Sequence, residues 1–152
     1  MAGFRFRLQN VLEYRTGLAD RARQELGVLQ ARVREAEEEL ATLLRFEQRA
    51  LQALGTAQSS GALDFAEITR LLEYGEVLTG RILQQHETIA ERQRAVDEQQ
   101  ERVVALAKEA KALEKLRERQ LEEFQIEDAR REQAESSEIA AVRHQRAQGS
   151  YA

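Results

Sequence analysis

The chain has 152 residues, enough for one domain, and contains no Pro, no Cys and no Trp. Ala, Glu, Leu, Lys and Arg make up more than half of it, the composition of a long helix or coiled coil once a helical period is found. The absent cysteines exclude a disulfide scaffold, a thiolate metal site and a Cys nucleophile. A charged fraction of 33% without a long apolar run excludes a membrane span, and a net charge of −4 speaks against broad capture of nucleic acid.

In chain order, the opening Met1-Ala2-Gly3-Phe4-Arg5-Phe6-Arg7-Leu8 shows no apolar signal region and no cleavage pattern, so the expected compartment is the cytoplasm. A first helix is predicted over about residues 5–54. Its inward positions are Leu8, Val11, Arg15, Leu18, Ala22, Leu26, Leu29, Val33, Ala36, Leu40, Leu43, Glu47, Ala50 and Leu54. The spacings alternate three and four, with one slip between Ala22 and Leu26 that would locally relax a supercoil.

A break follows at residues 55–63. Gly55 is placed for a left-handed C-cap. Asp64 is placed as N-cap of the next helix, with Glu67 completing a capping box and Leu63 with Ile68 a hydrophobic staple. The second helix is predicted over about 64–146, with an unbroken heptad from Ile68 through Leu78, Gln85, Arg92, Gln99 and Val103 to Leu113. Residues 147–152 read as a frayed tail.

Folded back at the break, the two seams pair as antiparallel layers: Leu43 meets Leu78, Ala36 meets Gln85 and Ala22 meets Gln99. The expected fold is therefore all-α, a single antiparallel two-helix coiled-coil hairpin. At roughly 1.5 Å per residue the second helix outlasts its partner by about 45 Å, leaving residues after about 117 without an intramolecular neighbour. A single helix that polar is marginal alone, which predicts a partner.

The polar seam positions Arg15, Glu47, Gln85, Arg92 and Gln99 read as register control at a cost in stability; the competing reading is a rod soft enough to bend. No enzyme motif is present, and neither a cofactor nor a small-molecule site is expected. His86, His144 and the run Glu37–Glu39 read as solvated helix surface. The scarce aromatics mark two places. Phe46 and Tyr74, with Leu43 and Leu78, form a candidate apolar patch. Phe4, Phe6, Tyr14 and Phe124 gather near the open end with Arg5, Arg7, Arg117 and Arg119.

The opening Phe4-Arg-Phe-Arg-Leu-Gln-Asn-Val-Leu-Glu-Tyr-Arg15 and the late stretch Ala112-Leu-Glu-Lys-Leu-Arg-Glu-Arg-Gln-Leu-Glu-Glu-Phe124 resemble the flagellar FliJ family. The resemblance implies a non-enzymatic component of the flagellar type III export apparatus. Such a protein binds the hexameric export ATPase as a central-stalk-like rod and promotes its assembly. It also links the ATPase to the cytoplasmic domain of the membrane export gate and acts as an escort of export chaperones. It further implies a monomer in isolation, located in the cytoplasm and peripherally at the inner membrane by the flagellar basal body. By the stalk analogy, Phe4, Arg5, Phe6, Arg7, Arg15, Leu113, Leu116, Arg117, Arg119 and Phe124 would face the ATPase. Leu43, Phe46, Tyr74 and Leu78 would face the gate. The alternatives are a generic self-associating coiled-coil scaffold, paired through residues 118–147, and the equivalent stalk of a non-flagellar type III secretion system.

Overall fold

The computed structural model describes residues 3–150. Two helices account for nearly all of them: α1, Gln9–Ser59, and α2, Phe65–Gly149. No strand occurs among the described residues. The chain divides into two compact units, one built from residues 1–19 and 106–152, the other from residues 20–105.

In the second unit the helices run antiparallel, in the register expected from the seam. The Gln85 side-chain amide donates to the Ala36 carbonyl at 2.9 Å, and that of Gln99 to the Ala22 carbonyl at 3.0 Å. Ala22, Val33, Ala36, Ala50, Leu78, Ile82 and Val96 are its buried core. They fall at the three-four spacing that keeps one stripe of each helix facing the other.

The first unit departs from expectation in its choice of inward residues. Leu12 and Ala19 are buried, whereas Leu8 and Val11 are exposed and Leu18 lies half-buried at the edge. The seam of α1 then reads Leu12, Arg15, Ala19, Ala22, Leu26, Leu29, with no slip. Ala19 stands four residues after Arg15 and three before Ala22, so it preserves the heptad that the larger Leu18 would have broken. The wider apolar residue is not the inward one, because the period rather than the side-chain size decides which face meets the partner.

The helix ends also differ. α1 begins at Gln9 rather than near residue 5, because residues 3–8 are not helical and bring Phe6 into the core. The Gln9 N–H donates to the Phe6 carbonyl at 3.2 Å and opens the first turn. At its other end α1 runs straight through Gly55 to Ser59, and no described glycine has positive φ, so the expected left-handed cap is absent. The turn is compact, residues 60–64. Asp64 caps α2 as expected, its Oδ1 accepting from the backbone N–H of Ala66 at 3.1 Å and of Glu67 at 3.4 Å. Leu63 remains exposed, so the staple contributes little.

Burial along α2 also extends further than the predicted limit near residue 117. Half-buried positions continue through Leu121 and Phe124 to Asp128, and every residue from 129 to 150 is exposed. The cause is the non-helical segment 3–8. The centroid of its Phe4 ring lies 5.7 Å from that of the Phe124 ring, so the segment covers α2 as far as that residue.

Two stability effects follow. Asp64→Ala removes the side-chain acceptor at the start of α2 and should cost about 1 kcal/mol, read as a lower urea midpoint. Gly27 lies exposed inside α1 with nothing within 4 Å of an added Cβ. Gly27→Ala should therefore stabilise by roughly 0.5–1 kcal/mol; an unchanged or lower midpoint would contradict the helical-entropy account.

Candidate partner-binding surfaces

The first candidate surface lies in the unit formed by residues 1–19 and 106–152. Phe6 is 5% exposed and serves the fold. Phe4 stacks on Phe124 with ring centroids 5.7 Å apart and planes tilted by 53°. The Arg117 guanidinium lies 5.8 Å from the Phe4 ring centre, and its Nε donates to the Gln9 Oε1 at 3.2 Å. These contacts tie the segment before α1 to the side of α2 through an aromatic pair and a cation held over a ring face. Arg15 pairs with Glu109 at 2.7 Å, both partly exposed, an ion pair worth less than about 1 kcal/mol.

Of the ten residues expected at this surface, the structure brings Phe4, Phe6, Arg117 and Phe124 into or against the packing. Leu113 and Leu116 are half-buried on α2. Arg5, Arg7 and Arg119 are exposed, and Tyr14 stands in solvent away from the aromatic pair at 63% exposure. Phe4, Arg5, Arg7, Asn10 and Arg117 line an open groove of about 600 Å³. With Phe6 and Gln9 also on its wall, the groove joins three arginines to two aromatic rings, a surface suited to acidic side chains of another protein.

The second candidate surface lies in the unit of residues 20–105. Leu78 is 1% exposed and is the largest fully buried side chain among the described residues, so it cannot meet a partner while the helices are paired. Leu43 is half-buried. Phe46 and Tyr74 are 40% and 45% exposed, and they alone of the four expected residues offer substantial surface. Leu51, Leu54, Leu71, Leu72 and Gly75 line a separate groove of about 480 Å³ with Glu47 and Glu76 beside it. Sequence reasoning passed over Leu51 and Leu72. Their signal was present: each follows a seam position, Ala50 and Leu71, where a large apolar side chain covers the seam edge and still faces water.

Among the described residues no cluster of His, Cys, Asp and Glu could hold a metal ion, and no helix is long and apolar enough to cross a membrane. Compared with known proteins, no curated protein and no solved structure matches the chain. A family model described as "Flagellar FliJ protein" matches residues 4–149. That match takes in both helices and the segment that precedes them, and on it the chain belongs to the flagellar FliJ protein family.

Proposed function

We propose that this chain, a flagellar export component by its family, is a non-enzymatic adaptor of the export apparatus in the cytoplasm. In this reading it binds the hexameric export ATPase in the manner of a central stalk and promotes its assembly. It connects the ATPase to the cytoplasmic domain of the membrane export gate, and it meets export chaperones on the way. The observation that carries the reading is the family match over residues 4–149.

The burial pattern supports the need for a partner. More than twenty consecutive helical residues of α2, from 129 onward, cover nothing in the chain itself. A helix of that kind gains its stability from whatever packs on it. Arg5, Arg7 and Arg119 supply exposed cations on the same unit. Phe46 and Tyr74 supply the exposed aromatic surface assigned to the gate, since Leu78 is committed to the core.

The test is sedimentation of the purified chain with the export ATPase of the same organism, with ATP hydrolysis followed in the same samples. A hexamer-sized complex with faster hydrolysis is expected. Arg5→Glu with Arg7→Glu should weaken the complex by about tenfold, mainly through slower association and with a stronger salt dependence. Truncation after Asp128 removes a stretch in which every described residue is exposed, and it should leave the packing of the first unit intact while lowering affinity further. A chain that forms no complex and instead sediments as a concentration-dependent dimer would replace this reading with that of a self-associating scaffold.

A further inference from the structure

We propose that Gln85 and Gln99, with Arg92 between them, form a register latch that holds α2 at a single stagger along α1. The three residues are spaced seven apart on one stripe of α2 and lie in one unit. Each donates to a backbone carbonyl of α1. Gln85 Nε2 reaches the Ala36 carbonyl at 2.9 Å and the Glu39 Oε2 at 3.1 Å. Gln99 Nε2 reaches the Ala22 carbonyl at 3.0 Å and the Glu25 Oε2 at 3.1 Å. Arg92 Nη1 reaches the Arg32 carbonyl at 2.8 Å.

The two glutamines repeat one motif. Each amide meets an alanine carbonyl and the carboxylate three residues further along α1. The alanines are what make this possible. Ala36 and Ala22 are 0% and 3% exposed, and their short side chains leave the carbonyl within reach of an amide coming from the facing helix. A leucine at either place would hold the shorter glutamine amide off the carbonyl, whereas the longer Arg92 reaches the Arg32 carbonyl past Leu29.

A latch is needed because the turn does not set the register by itself. In an antiparallel hairpin a one-heptad slip moves the turn by only three or four residues. From its place around Gly61 the turn would move to residues 57–58, where Gly55, Ser59 and Ser60 offer equivalent turn chemistry. The apolar heptad tolerates such a slip, since any heptad is matched by its neighbour. The latch does not. Shifted one heptad either way, Gln85 would face Leu29 or Leu43, and Gln99 would face Arg15 or Leu29. Each amide would then enter the seam without an acceptor, at the cost of a desolvated polar group.

The experiment uses the full chain, which has no cysteine of its own. Spin labels are placed at the exposed positions through Arg34→Cys and Glu73→Cys, and interspin distances are measured by pulsed electron resonance. With the native seam one distance is expected. With Gln85→Leu and Gln99→Leu a second population should appear, displaced by roughly 8–10 Å, the effect of sliding seven helical residues. The thermal midpoint should rise at the same time, because apolar residues replace polar ones in the seam. One unchanged distance in the leucine variant would overturn the latch, whatever its midpoint. Should that variant lose its helical circular dichroism, Gln85→Asn with Gln99→Asn decides by the same distances, since the shorter amide cannot reach the carbonyl.

Discussion

Two helices lying side by side share only one face, and that constraint governs nearly every feature of this chain. Each helix can bury about two residues in seven, so the core is a stripe rather than a volume. Among the described residues alanine supplies five of its buried members, Ala19, Ala22, Ala36, Ala50 and Ala110. Small residues bring the backbones close but bury little apolar surface, so the hydrophobic contribution per residue is low. The remainder comes from sequence rich in strong helix formers and from side-chain hydrogen bonds across the seam. A chain built this way keeps its shape through alignment more than through bulk.

The same constraint explains what could be read beforehand. Where the seam is a regular heptad, a hydrophobic period and its polar exceptions locate the facing residues, and the pairs Ala36 with Gln85 and Ala22 with Gln99 follow from numbering alone. Reading failed where two residue choices satisfied polarity but only one satisfied the period. Side-chain size favours Leu18 over Ala19, and spacing from Arg15 favours Leu8 and Val11 over Leu12, yet Ala19 and Leu12 are the buried ones. It failed again at Gly55, whose intrinsic preference for a helix end was overridden by a neighbouring turn anchored on the Asp64 cap. Residue type alone marks Phe6 as a surface aromatic, whereas the structure buries it. Its burial depends on a non-helical segment that continues α1's course along α2, which no local period reveals.

For the candidate surfaces the lesson is one of competition. A side chain used to hold the chain together is not available to hold something else. Among the aromatic and cationic residues before α1, Phe6 and the Phe4–Phe124–Arg117 group are engaged within the chain, and that engagement sets Arg5 and Arg7 on a fixed stretch of backbone. In the other unit the split falls within a single four-residue set, with Leu78 in the core and Phe46 and Tyr74 at the surface. The inner member supports the geometry of the outer ones. Substituting it would confuse loss of contact with loss of structure, so the exposed pair is the informative target.

The helix α2 is continuous in its hydrogen bonding, yet its backing changes along its length: buried neighbours at Leu78, Ile82, Val96 and Ala110, and none beyond Asp128. Amide exchange with solvent reports the free energy of local opening, not the presence of a hydrogen bond. One uninterrupted helix should therefore show two kinetic regimes. Amides near Leu78 to Val96 would exchange only when the helices separate, and those after Asp128 through local opening of an unbacked helix. A molecule seated on the last twenty residues would slow the second regime and leave the first almost untouched, which makes the exchange map a direct record of where α2 is held.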